Sequence, residues 1–301
     1  MIKLPNGHYL EYVVASGALA FDGKGWPWEW PLRWCGLINP RLFTVVIKTL
    51  TRFPREGNLR WHKPWECVRL IPGGAVNKVG LTNPGIEWWC KKIGPKADSR
   101  KIPLAGSIFG NETELIEMAQ MLNRFDLVGL EVNPSCPNTG HAMHDVEEIV
   151  RSVSAVKKHS YHPVIVKVSV AQNYVEIARR LEHVAEAVSL NSVPWELAFP
   201  CPAAFSEIRN PLRRLEEKVG GGGGGVSGTP AQALNWKAVA ELAGDGALPV
   251  IAPGIMEYGD VEKVRKLGAR AVSFGAIHLR TPWKPTAIVR KDIHKEAEDV
   301  E

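Results

Sequence analysis

Short apolar runs alternate with amphipathic stretches along most of the chain. Phe43 to Lys48 is β-branched and strand-like, and Pro103 to Phe109 is a second such run. Thr113 to Phe125 follows with apolar positions at Leu115, Ile116, Ala119 and Leu122, the spacing of a helix. The rhythm then repeats. Leu127–Val132, Pro163–Val170, Ala187–Asn191, Pro249–Ala252 and Arg270–Phe274 read as strands. Residues 146–156, 174–185, 231–243 and 260–267 read as helices. Strands that are apolar on both faces and alternate with helices imply a parallel sheet. Seven or eight such units in 301 residues fit a closed (β/α)8 barrel, the TIM-barrel class, better than an open doubly wound sheet. No change of composition marks a second domain, so residues 1–301 read as one domain. The six glycines at 220–225 read as a mobile loop within it.

Composition narrows the function classes. Hydrophobic residues make 45% and charged residues 23%, which excludes disordered and fibrous chains. No apolar run reaches the ~18–20 residues of a spanning helix, and the first residues lack the apolar core of a signal peptide. A soluble, cytoplasmic protein is expected, with no membrane attachment. The net charge of +5 is spread along the chain without a dense basic stripe, so no nucleic-acid partner is expected. The glycine run matches a dinucleotide fingerprint only trivially, and no G-K-[ST] is present, so a P-loop is excluded. His141 and His144 stand beside Asp145 and read as polar residues at a helix start, and no metal is expected. Of eleven tryptophans, Trp26, Trp28, Trp30 and Trp34 crowd one segment. That segment reads first as a packed loop over an apolar surface, and second as a contact surface for a protein or cofactor.

Five cysteines, an odd number at wide spacing without a C-x-x-C pair, exclude zinc ribbons, dithiol centres and a disulfide framework. Cys35, Cys67, Cys90 and Cys201 read as small packing residues. The fifth is different. Cys136 directly follows a predicted strand in Glu131-Val132-Asn133-Pro134-Ser135-Cys136-Pro137-Asn138-Thr139-Gly140. The amides of Asn133 and Asn138 can each donate and accept, which suits a planar ligand that carries amide groups. A thiol with a reference pKa near ~8.5 needs only modest help to act as a base. Barrels carry their chemistry at the C-terminal strand ends. Those ends supply Lys48-Thr49, Asn133, Lys167, Asn191-Ser192, Gly254 and Gly275-Ala276. Lysine and asparagine are poor strand residues without a reason. The glycines after the last two strands offer bare N–H groups of the kind that bind phosphate.

These segments together resemble the dihydroorotate dehydrogenases, flavin enzymes of pyrimidine synthesis. Asn133 to Asn138 is similar to the family's N-L-S-C-P-N. Val14-Ala15-Ser16-Gly17 resembles its early A-S-G turn. Val45 to Thr51, followed by Pro54-Arg55-Glu56-Gly57-Asn58, resembles its lysine strand and loop. Asn77 to Gly85 resembles N-x-x-G-L-x-N-P-G, and Gly224 to Gly228 resembles G-G-L-S-G. The order is the family's, over roughly residues 12–280.

The resemblance implies a (β/α)8 barrel with FMN at its C-terminal mouth. It implies that Lys48 contacts flavin and substrate, and that Asn77, Asn133, Asn138 and Asn191 ring the pyrimidine, with Gly80, Leu81 and Ser192 beside it. Ala15, Ser16, Gly17, Thr49 and Asn133 would line the flavin, and Lys167 would lie at its electron-rich edge. Gly225, Gly254, Gly275 and Ala276 would cradle the phosphate. Cys136 would be the base that removes a proton from C5 of dihydroorotate while hydride leaves C6 for N5 of FMN, giving orotate. Quinone-using members place serine at this position behind a membrane-docking extension, so Cys136 points to the soluble class 1 branch. Within that branch a homodimer is implied. The acceptor is fumarate or, through an iron–sulfur flavoprotein subunit, NAD, and the run from Gly80 to Gly85 leans towards the partnered type.

The chain departs from the family at three points. Pro134 precedes the base loop, Pro253 replaces a glycine at the phosphate site and removes an N–H donor, and Gln232 stands where lysine is common. Rival readings are a dihydropyrimidine dehydrogenase-like flavin oxidoreductase, whose substrates lack the carboxylate that Lys48 would meet, and a flavin-free phosphate-binding barrel lyase or isomerase. A degenerate binding subunit is disfavoured by the intact Cys136, Lys48 and asparagines.

Overall fold

Eight short strands close into a parallel barrel in strict chain order. The computed structural model describes residues 1–60, 62–134, 145–200, 209–212 and 223–298. The barrel strands are β1 (Tyr12–Val14), β2 (Thr44–Val46), β3 (Leu104–Ile108) and β4 (Gly129–Val132). They continue with β5 (Val164–Val168), β6 (Ala187–Leu190), β7 (Val250–Ala252) and β8 (Ala271–Phe274), and β8 pairs back with β1. The expected barrel is therefore found. Lys48 and Asn191 lie just beyond β2 and β6 rather than within them.

The alternation of side chains along each strand separates two environments. Outward residues such as Val45, Leu130, Val166, Val188 and Val272 pack beneath the surrounding helices. Inward residues at the N-terminal end, among them Val13, Val46, Ala105, Ile165, Ala187 and Ile251, form an apolar floor. The strands Ile2–Lys3 and Tyr9–Leu10 form an antiparallel pair that inserts Ile2, Leu4 and Leu10 into that floor. Two residues further along, the inward positions turn polar. Ser107, Glu131, Lys167, Ser189 and Ser273 are all buried. The inside of the barrel thus changes from apolar to polar along its axis.

The helices form where capping and periodicity agree. Asn111 caps Glu112–Leu122 by accepting from Glu114 N, and the Glu114 carboxylate accepts from Asn111 N. Leu115, Met118, Ala119 and Leu122 are that helix's buried stripe. Asp145 caps Val146–His159, whose last turn carries Lys157, Lys158 and His159, as the helix dipole favours. Thr229–Asp245 has Pro230 in its first turn and ends at Gly246 in the left-handed conformation.

A second sheet was not anticipated. Val68–Ile71, Gly74–Asn77, Gly225–Gly228 and Val193–Pro194 pair antiparallel. Gly225, read from sequence as the end of a loop, is the first residue of a strand there. Gly220 to Gly222 lie outside the described residues. Gly74 is required by the strand pairing itself, because a Cβ would stand 2.1 Å from the Ser227 carbonyl oxygen.

Candidate functional site

The polar layer of the barrel opens into a cavity of about 530 Å³ at the C-terminal strand ends. That size is within the ~300–1,000 Å³ usual for small-molecule sites. Its wall collects nearly all the candidates from the sequence that are described. Ala15, Ser16 and Gly17 come from the loop after β1, and Lys48 and Thr49 from the segment after β2. Asn77, Gly80 and Leu81 come from the second sheet and the loop behind it. Asn133 follows β4, Lys167 lies in β5, and Asn191 and Ser192 follow β6. Gly254 follows β7, and Gly275 with Ala276 follows β8. Gly225 is the exception and stands behind the wall, with its carbonyl accepting from Asn77 Nδ2 at 3.3 Å. Cys136, Asn138, His141, His144 and Cys201 lie outside the described residues.

A continuous polar chain crosses the cavity floor. Ser16 Oγ donates to the Ile47 carbonyl at 2.8 Å and lies 2.9 Å from Thr49 Oγ1. Thr49 Oγ1 lies 2.9 Å from Ser107 Oγ, which donates to Glu131 Oε1 at 3.1 Å. Lys167 Nζ donates to the same oxygen at 3.2 Å, and Ser189 Oγ donates to Glu131 Oε2 at 3.1 Å. Glu131 is 3% exposed and Lys167 7%, so this is a buried ion pair whose carboxylate is satisfied from three sides. Register explains the convergence: Ser107 pairs with Glu131 across β3–β4, and Lys167 with Ser189 across β5–β6.

The amides are held in place as well. Asn191 Nδ2 donates to Asn133 Oδ1 at 3.4 Å, and Asn191 Oδ1 accepts from Ser192 N at 2.8 Å. Gly80 and Leu81 both take positive φ, +66° and +58°. For Leu81 this is a strained conformation of order ~1–2 kcal/mol, held by its burial against Phe109. At the far side Gly254 has φ +86°, which a Cβ would disfavour.

Two other features bear on the site. Trp26 is buried, donates from Nε1 to the Gly17 carbonyl at 3.2 Å, and stacks on exposed Trp28 with ring centroids 5.6 Å apart. Both rings line the cavity, whereas Trp30 and Trp34 face solvent. Within the same turn, burial pushes the Glu29 carboxyl up to about 7, against the pull of the Trp26 N–H it accepts at 2.7 Å. The three described thiols differ in setting. Burial pushes Cys67 up to about 11 and raises Cys90, and Cys35 is exposed.

Sequence reasoning missed Glu131, Ser107 and Ser189. A signal existed: each is a polar residue at an alternate position of an otherwise apolar run. It also missed Ser227, Gly228 and Asn235, which join the wall from the second sheet and the helix that follows it. The arrangement offers two cations, one buried carboxylate and several fixed amides around one cavity. It suits a planar, amide-bearing, anionic ligand. Among the described residues no group of histidine, cysteine or carboxylate side chains could hold a metal ion, and no helix is long and apolar enough to cross a membrane.

Comparison with known proteins gives a consistent picture. The profile of the family described as "Dihydroorotate dehydrogenase" matches residues 37–296. The chain is 31% identical over 254 residues to a protein of Solibacter usitatus named "Putative dihydroorotate dehydrogenase A (fumarate)", covering 81% of this chain and 77% of that one. It is 30% identical over 285 residues to the "Dihydroorotate dehydrogenase B (NAD(+)), catalytic subunit" of Desulforudis audaxviator, covering 92% and 85%. It is 27% identical over 252 residues to a catalytic subunit of the same name from Bacteroides fragilis, covering 80% and 78%.

Proposed function

The chain belongs to the dihydroorotate dehydrogenase family, and from that premise we propose that it oxidises dihydroorotate to orotate with FMN, as a class 1 enzyme of pyrimidine biosynthesis in the cytoplasm. The observation that carries the reading is the gathering of Lys48, Asn77, Asn133, Asn191 and Lys167 on one cavity wall. The substrate has an amide-bearing ring and a carboxylate, and those groups match the asparagines and Lys48.

The residues present fit FMN. The cavity is large enough, Lys167 stands fixed in its floor, and Gly254 and Gly275 leave backbone exposed at the ends of β7 and β8. Ala15, Ser16, Gly17, Thr49 and Asn133 would hold the ring system, and Gly254, Gly275 and Ala276 the phosphate. When bound, FMN supplies the two-electron acceptor for the hydride that leaves substrate C6. The work of the chain is orientation and proton removal. Asn77, Asn133, Asn138 and Asn191 fix the ring, Gly80, Leu81 and Ser192 close around it, and Lys48 neutralises the carboxylate. Glu131 and its serine donors keep Lys167 in one position, so its charge is in place before substrate arrives. Cys136 takes the C5 proton.

We assign the electron output to an iron–sulfur flavoprotein subunit that reduces NAD, with the chain itself a homodimer. Of the three relatives above, two are named catalytic subunits of an NAD(+) type and one a fumarate type, and with the run from Gly80 to Gly85 this favours the partnered type. The test of the base is Cys136→Ala. That variant keeps bound flavin and loses at least about 10²-fold in the rate of flavin reduction by dihydroorotate. Reduction at the wild-type rate would refute the assignment. Reduced chain should pass electrons to NAD only when the partner subunit is added, and transfer by the chain alone would refute the partnered type.

A further inference from the structure

The helix Thr229–Asp245 presses one face against the loop that ends β7. Gln232 and Trp236, four residues apart, spend their polar groups on that loop. Gln232 Nε2 donates to the Gly254 carbonyl at 2.8 Å and to Asp260 Oδ2 at 3.0 Å, which uses both of its hydrogens. Trp236 Nε1 donates to the Pro253 carbonyl at 3.0 Å. Between them stands Asn235, 3% exposed and part of the cavity wall. Its Oδ1 is buried and has no hydrogen-bond partner among the described residues. Leaving a buried amide oxygen unmet costs of order ~1–3 kcal/mol, so a native chain keeps one only for a reason.

The neighbourhood supplies that reason. Pro253 has no N–H, so the cradle at the end of β7 is one donor short. The cations among the described wall residues are Lys48 and Lys167, and neither stands on the β7 or β8 side. Gln232, at a position where a lysine would bring charge, has both amide hydrogens engaged. Asn235 Oδ1 is the one buried polar side-chain atom of the helix Thr229–Asp245 without a hydrogen bond. A half-turn of the amide exchanges its acceptor for a donor at the same point.

We propose that Asn235 binds the phosphate-bearing tail of the flavin, as the side-chain donor that replaces the backbone N–H missing at Pro253. The inference rests on the FMN reading above. It assigns the phosphate a cradle of neutral donors, made of the amide with the N–H groups of Gly254, Gly275 and Ala276.

The test is flavin binding by apoprotein, read from quenching of flavin fluorescence, with FMN and with riboflavin, which lacks the phosphate. Asn235→Ala should weaken FMN about tenfold or more and leave riboflavin within about twofold, since a hydrogen bond to a charged group is lost. Asn235→Asp should weaken FMN further, about hundredfold, through repulsion between carboxylate and phosphate. The melting temperature of the Asn235→Ala apoprotein should hold or rise, because an unmet polar atom is removed. A purely structural asparagine would move it down. Equal losses for FMN and riboflavin, unchanged FMN binding, or a fall in apoprotein stability that accounts for the weaker binding would each overturn the assignment. A wild-type apoprotein that ignores FMN would instead overturn the cofactor reading on which it rests.

Discussion

The Glu131–Lys167 pair gives the sharpest energetic prediction. The two charges lie 3.2 Å apart in the barrel interior, where side-chain exposure is 3% and 9%. At an effective dielectric of ~20, their attraction is ~5 kcal/mol. Glu131→Gln keeps the volume and one oxygen for one serine hydroxyl but removes the negative charge opposite Lys167. Lys167→Met leaves Glu131 with only the two serine donors. Each single change should destabilise the apoprotein by about 3–5 kcal/mol. Removing both charges should cost clearly less than the sum, with a coupling of at least ~2 kcal/mol. Urea unfolding of flavin-free protein, followed by tryptophan fluorescence, measures all four corners of the cycle. Single changes that each cost under ~1 kcal/mol and add within ~0.5 kcal/mol would refute the claim that the cavity floor is organised around this pair.

Three further variants separate conformation, charge and site. Gly254→Ala adds a Cβ that meets Gln232 Cγ at 3.4 Å and Trp236 Nε1 at 3.5 Å, which are ordinary contacts, so its expected cost of about 1–2 kcal/mol comes from the +86° φ. Flavin affinity should fall with it, whereas Gly244→Ala, with nothing within 4 Å of the new Cβ, should stabilise by about 0.5–1 kcal/mol in the same urea assay. Glu29 holds its proton up to about 7 in the folded chain against 4.5 in the reference state, so between those values the unfolded chain has released a proton that the folded chain keeps. Its contribution to stability should therefore fall as pH rises through that window and level off above it. Urea midpoints of wild type and Glu29→Gln should diverge across that window, and parallel pH profiles would refute a buried, protonated Glu29.

The barrel was legible because its strands are continuous apolar runs, and most helices because their apolar stripes coincide with caps. β1 was not anticipated as a strand. Tyr12–Val14 is three residues long and follows directly on the Tyr9–Leu10 strand, so no isolated apolar run announces it. The second sheet was invisible for a related reason. Gly74–Asn77 and Gly225–Gly228 are glycine-containing segments whose pairing joins residues about 150 positions apart, beyond the reach of local periodicity. The strand-end residues singled out in the sequence line one cavity. Lysine, asparagine and glycine after apolar runs are costly without a use, and the described ones converge as expected, apart from Gly225. What could not be read was the supporting layer. Glu131 and Ser189 look like polar interruptions of strands until register sets them opposite Ser107 and Lys167. Asn235 sits on a helix at ordinary spacing, and only its unmet oxygen singles it out.

The central claim is that this cavity holds FMN and oxidises a carboxylated dihydropyrimidine. The direct measurement is flavin absorbance of the purified protein under anaerobic conditions, before and after one equivalent of dihydroorotate, with dihydrouracil in parallel. A yellow protein bleached by dihydroorotate and left coloured by dihydrouracil, which lacks the carboxylate proposed to meet Lys48, is the expected result. A colourless protein that takes up no FMN, or bleaching by dihydrouracil alone, would contradict it.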